Sequence, residues 1–266
     1  MSIHFKQARD LSFLVQDTFL FVKENIKPLG IFLLNYAGPF LLLAAGASAY
    51  LQRDLTEFIV ANPSAKIDIL MQYRAVSSSP FYWFVLILNI LASTVMMAVI
   101  YSYIKHYISV GRESIFPEMI IEDTKQTFSI ILIANLVVGI ATFAGMFLLL
   151  VGAVYLFVAL MFTAFIQIHE NKTLSEALKQ SLFLTKNNWW ITFGSLLVFY
   201  GIIILLGYGV AIPETVFSAV LNVKINSMLG LILSAFTTFA SSFLLSILYI
   251  AQVFIYFNLV EKKKSN

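Results

Sequence analysis

Between Phe128 and Ile168 no side chain carries a formal charge, and a run of 41 such residues leaves a chain few ways to fold. A helix that is apolar on every side must be buried in a large core or in lipid. At 1.5 Å rise per residue the run is about 60 Å long, twice the roughly 30 Å of a bilayer's hydrocarbon. Two passes joined by a turn near Gly145 or Gly152 fit this length. Similar runs recur at 29–50, at 81–104 behind Pro80 and the aromatic pair Tyr82-Trp83, at 189–212 ahead of Pro213, and at 228–260. The last is long enough that it must tilt, kink or extend beyond the bilayer. Charged residues make up 12% of the chain, half the roughly 25% usual in soluble domains. The expected fold is all-α, a single transmembrane domain over 1–266, with six spans at about 29–50, 81–104, 128–147, 150–168, 189–212 and 228–260.

The placement of basic residues supports six spans over five. Cytoplasmic segments collect Lys and Arg. With six spans and an inside N-terminus, thirteen of the seventeen basic residues fall inside, and Arg53, Lys66, Arg74 and Lys224 fall outside. If the 41-residue run crosses once, the split becomes eight against nine. Both termini are therefore expected in the cytoplasm of a prokaryotic inner membrane. Ala47-Ser48-Ala49 imitates a signal-peptidase site, but it lies too far from the N-terminus and follows a segment containing Asp10, Asp17 and Glu24.

Two connecting segments repeat each other at an offset of 163 residues. Leu11, Leu14, Val15, Thr18, Phe19 and Val22 are matched by Leu174, Ala177, Leu178, Ser181, Leu182 and Thr185, the spacing of one helix face. Lys23 and Asn25 correspond to Lys186 and Asn188. Each copy reads as an amphipathic cytoplasmic helix lying in the interface ahead of a span. The first is expected to break at Pro28. The second opens on a Thr173/Glu176 capping box. Lys23, Lys27, Lys186, Trp189 and Trp190 are the candidate headgroup contacts, because ammonium groups attract anionic lipid and tryptophans favour the interface.

The run Ala177-Leu178-Lys179-Gln180-Ser181-Leu182-Phe183-Leu184-Thr185-Lys186-Asn187-Asn188-Trp189-Trp190, followed by Phe193-Gly194, resembles the signature of an uncharacterised prokaryotic membrane-protein family. That family includes the membrane domain fused to some glycerophosphodiester phosphodiesterases. The ending Tyr256-Phe257-Asn258-Leu259-Val260-Glu261-Lys262-Lys263 is similar to that of its stand-alone members. The resemblance implies a six-helix bundle with cytoplasmic re-entrant or interfacial helices and no established activity. The phosphodiesterase domain is absent from this chain, so its catalysis does not carry over.

Chemistry-bearing patterns are scarce. There is no cysteine, which removes thiolate catalysis and Cys-type metal sites. The net charge of +3 is dispersed, unlike the basic stripe of a nucleic-acid binder. His169-Glu170 begins like a zinc motif but Asn171-Lys172-Thr173 follows, so the second histidine is missing. Glu113, Glu118, Glu122 and Asp123 form the one dense acidic group and read as a solvated face. None of the spans holds an ionisable side chain of the kind that proton-coupled transport uses. No catalytic residue, metal or cofactor is expected.

Two polar features remain inside the spans. Asn35, Asn89 and Asn135 place a carboxamide in each of the first three, and Ser234, Thr238, Ser242 and Ser246 form an i, i+4 stripe along the sixth. Small hydroxyl residues at this spacing let helices approach closely. The same stripe could line a polar path or cradle a headgroup. The expected role is that of a non-enzymatic membrane protein that organises lipids, a protein partner or further copies of itself, with a passive channel or lipid translocator as the alternative.

Overall fold

The structure, a computed structural model, describes residues 4–224 and 227–264. Every regular element among them is helical. The α-helices, in chain order, are α1 (Leu11–Phe32), α2 (Gly38–Ala61), α3 (Ile69–Ser77), α4 (Pro80–Val110), α5 (Pro117–Gly145), α6 (Leu149–Leu160), α7 (Thr163–Glu170), α8 (Leu174–Thr185), α9 (Trp189–Val220), α10 (Met228–Ser242) and α11 (Leu245–Lys264). Six helical stretches are long and apolar enough to cross a membrane: Leu11–Ala61, Pro80–Val110, Pro117–Gly145, Leu150–Glu170, Trp189–Val220 and Met228–Lys264. The chain is a multi-pass, all-α membrane protein.

Several boundaries differ from the expected ones, and prolines account for most of them. Pro28 does not break α1 but lies inside it. An interior proline forfeits one backbone hydrogen bond, and here the helix holds because Leu14, Thr18, Phe21, Asn25 and Leu29 are buried along one stripe. The irregularity comes later, as a π-helical turn at Leu33–Ala37. It sits directly before Gly38-Pro39, where the proline ring obstructs the carbonyl of Asn35 and a wider turn relieves the clash. α2 then continues to Ala61, past the expected end of the first span at residue 50, and a 3-10 turn at Pro63–Lys66 and α3 follow it. Pro213 likewise lies within α9, which runs on to Val220. The 41-residue run folds as the expected hairpin. Its turn, Met146–Leu148, falls between Gly145 and Gly152. A Cβ on Gly145 would stand 2.8 Å from the backbone of Gly152, so the helices can approach this closely only without side chains there. The sixth stretch is interrupted by a turn at Phe243 and Leu244.

The helices gather into two compact units. The first comprises Met1–Leu33, Thr94–Ile203 and Ser246–Asn266. Its core is α11, buried without a break from Ile250 to Leu259, together with Thr94–Ile104 of α4. Phe5 stacks on Phe254 at 4.6 Å, and Phe21 meets Tyr107 edge-on at 5.1 Å. The second unit comprises Leu34–Ser93 and Ile204–Leu245. There α10 packs on α2, whose buried face consists of Gly38, Leu41, Ala44, Ala45 and Ala49. Small side chains permit the close helix contact on which association in lipid depends.

Candidate functional site

The polar residues inside the spans are used locally. In the second unit Asn35 is exposed on the π turn, and Asn89 donates to Ser48 Oγ at 3.1 Å and to the carbonyl of Val85. In the first unit Asn135 donates to Met97 Sδ at 3.3 Å. Ser234, Thr238 and Ser242 are half-buried on α10, and Ser242 Oγ donates to the carbonyl of Thr238 at 2.8 Å. A hydroxyl that donates to its own helix has no proton left to offer a ligand and can only accept from one. Ser246 belongs to α11, beyond the turn, so the four residues do not continue one helix face.

Lys23, Lys27 and Lys186 are exposed. Trp189 opens α9, stacks on Tyr155 with ring centroids 5.9 Å apart and donates Nε1–H to the Tyr155 carbonyl. Trp190 beside it is 77% exposed. The repeated helices turn their stripes toward protein. α8 buries Ala177, Ser181, Leu184 and Thr185, and Ser181 Oγ donates to the carbonyl of Ala159 at 2.7 Å. A bundle that offers a free carbonyl at a helix end satisfies that hydroxyl better than lipid can.

The first unit also holds a buried polar network that periodicity did not reveal. Tyr101 donates to Gln252 Oε1 at 2.9 Å, and Tyr103 to Asn25 Oδ1 at 2.8 Å. The guanidinium of Arg9 pairs with Asp17 at 2.7 Å, donates to the carbonyls of His4, Phe5 and Gln7, and lies over the Phe254 ring. The Arg9 backbone N–H donates to Asn258 Oδ1 at 2.7 Å. Glu170 accepts from Tyr256 and Gln180 and pairs with Lys172 at 2.7 Å. Lys105 pairs with Asp123 at 2.6 Å. The signal was present in the polar residues Gln252 and Asn258 within an otherwise apolar helix, but not their partners.

One set within this network shares its residue types with a hydrolase triad and nothing more. Ser102 and His106 are one turn apart on α4, and His106 Nε2 stands 3.9 Å from Asp123 Oδ2. That distance is too long for a hydrogen bond. Ser102 Oγ has no partner, and the residue is wholly buried. A nucleophile needs its base within about 3.2 Å and a path for substrate, and the arrangement supplies neither. Of the dense acidic group, Glu113, Glu118 and Glu122 are exposed while Asp123 is buried on Lys105. No group of three or more metal-ligating side chains gathers among the described residues.

In the first unit a groove of about 660 Å³ lies where α8 faces the end of α11. Lys172, Lys179, Lys263 and Lys264 edge it, and Phe183, Leu184 and Val260 contribute its apolar part. Lys263 Nζ lies 4.7 Å from the centroid of the Phe183 ring. Glu176 belongs to the same wall, yet its carboxylate is turned to the Thr173 N–H and hydroxyl, completing the capping box. Those hydrogen bonds hold the Glu176 carboxyl below its ordinary range, so it stays ionised.

No protein-family model matches the chain, and neither a curated protein nor a solved structure does. The likeness to a membrane-protein family therefore rests on the residues from Ala177 to Gly194 and from Tyr256 to Lys263.

Proposed function

We propose that the chain is a non-enzymatic protein of a prokaryotic inner membrane that binds and organises anionic lipid, with both termini in the cytoplasm. The observation that carries this reading is where the polar groups are spent. Buried ones are mostly committed to one another or to backbone, whereas Lys23 and Lys27 ahead of the uncharged run at 29–50, and Lys179 and Lys186 ahead of that at 189–212, are exposed. Ammonium groups so placed contribute about 1 kcal/mol each toward an anionic membrane surface.

The charge distribution supports the orientation. All thirteen basic residues expected inside belong to the first unit, and the four expected outside belong to the second. This coincidence favours the connecting segments of the first unit as cytoplasmic. The channel or translocator alternative draws less support, since Ser246 lies beyond the turn and the four hydroxyls do not form one helix-long stripe.

Native mass spectrometry of protein extracted in mild detergent, with identification of whatever co-purifies, tests the reading. A chemically uniform anionic lipid at stoichiometric amounts is expected. A bare protein would count against it, and one carrying a second polypeptide would point to scaffolding.

A further inference from the structure

We infer that the groove between α8 and the end of α11 is a binding site for one anionic phospholipid headgroup, a phosphodiester held by Lys179 and Lys263. This rests on the lipid-binding reading above and gives it a place.

The charge balance of the groove selects the ligand. Lys172 is paired with Glu170 at 2.7 Å, and Lys264 with Glu261 at 2.7 Å. Neither Lys179 nor Lys263 has a carboxylate within salt-bridge distance among the described residues. Glu176 contributes one negative charge, committed to the N-cap of α8. The groove is left with an excess of one positive charge, which a phosphodiester monoanion neutralises. A divalent anion would overshoot that balance, and a zwitterionic headgroup would bring a cation that the lysines repel.

The shape selects a lipid over a free anion. Phe183, Leu184 and Val260 give an apolar surface beside the ammonium groups, suited to glycerol and the first acyl carbons. Lys263 already lies over the Phe183 ring, which holds its ammonium group at the rim. The groove also lies where lipid headgroups are. α8 joins the end of the Leu150–Glu170 stretch to the start of Trp189–Val220, and Val260 to Lys264 closes the Met228–Lys264 stretch. Lys23, Lys27 and Lys186 do not line this groove and would add attraction without selecting a headgroup.

The test is lipid retention by the whole protein in nanodiscs of phosphatidylglycerol and phosphatidylcholine, read by native mass spectrometry. The wild type is compared with Lys179→Ala/Lys263→Ala, Lys179→Arg/Lys263→Arg and Lys23→Ala/Lys27→Ala. The first pair is expected to lose phosphatidylglycerol about thirtyfold, the equivalent of two surface ammonium groups. The arginine pair should keep it, and the Lys23→Ala/Lys27→Ala pair should lose less than Lys179→Ala/Lys263→Ala does. Equal retention by wild type and Lys179→Ala/Lys263→Ala would overturn the site while leaving the lipid-binding reading intact. If the wild type prefers neither lipid, both fail. Displacement of bound lipid by millimolar inorganic phosphate would overturn the assignment to a lipid and give the groove to a free anion.

Discussion

Asn25 and Asn188 occupy the same place in two copies of one helix. Each donates its carboxamide to the carbonyl four residues back, Asn25 to Phe21 at 2.9 Å and Asn188 to Leu184 at 3.4 Å. The offset of 163 residues thus holds for donor, acceptor and helix start alike, since α1 opens at Leu11 and α8 at Leu174. Burial follows the same register: Leu14 with Ala177, Thr18 with Ser181, Phe21 with Leu184. The copies diverge at their ends. α1 runs on through Pro28, whereas α8 stops and Lys186 to Asn188 turn into α9.

That divergence makes the two asparagines unequal. Asn25 is fully buried and its Oδ1 also accepts the Tyr103 hydroxyl, tying α1 to α4. Asn25→Ala strands that hydroxyl and Tyr103→Phe strands the buried Asn25 Oδ1, so each should cost about 1 to 3 kcal/mol. Asn188→Ala, half-buried and with a longer bond, should cost less than either. Thermal unfolding in one detergent, followed by tryptophan fluorescence, ranks the three. A larger loss for Asn188→Ala than for Asn25→Ala would contradict the assignment.

Arg9 fastens the segment before α1. Its side chain is 2% exposed and faces three carbonyls, a carboxylate and an aromatic ring. Breaking a buried ion pair by removing one partner costs about 3 to 5 kcal/mol, and Arg9→Ala should fall in that range. Arg9→Lys should rescue little, because an ammonium group cannot reproduce the planar fork that serves several acceptors at once. Limited proteolysis should then cut near Phe5 in both variants and spare the wild type.

How far the sequence showed all this depends on the range of each interaction. The spans were legible because apolarity accumulates along contiguous residues. The helix ends at Pro28 and Pro213 were misread because a local rule for proline competes with burial, which only the assembled bundle shows. Tyr101 and Gln252 are 151 residues apart, and nothing near either names the other. Lys179 and Lys263 read as two more cytoplasmic lysines until folding sets them on one groove. The stripe from Ser234 to Ser246 suffered the reverse, being regular in sequence but divided by the turn at Phe243 and Leu244.

Glycine tests the hairpin with an internal control. A methyl group at Gly145 meets the carbonyl carbon and oxygen of Gly152 at 2.8 Å, and both are backbone atoms that cannot rotate away. Gly145→Ala should therefore force α5 from α6 and cost about 1 to 3 kcal/mol. Gly201, mid-way along α9, has nothing within 4 Å of the same added atom. Gly201→Ala should be neutral or stabilising by up to about 1 kcal/mol, since alanine favours the helix. Similar losses in both would show that the close approach does not govern the turn.

The absence of cysteine makes orientation directly measurable, because each introduced thiol is the only one in the chain. Lys23 and Lys186 correspond in the repeat and are both exposed, as are Lys66 and Arg74 in the second unit. With six crossings, Lys23→Cys and Lys186→Cys should react with a membrane-impermeant maleimide only after permeabilisation, and Lys66→Cys and Arg74→Cys in intact cells. With five crossings, Lys186 would move to the opposite side from Lys23 and the repeat would be inverted across the membrane. Labelling of Lys186→Cys in intact cells would therefore overturn the orientation. It would also remove the lipid-headgroup argument from the groove, since the anionic surface charge that attracts polybasic segments is that of the cytoplasmic leaflet.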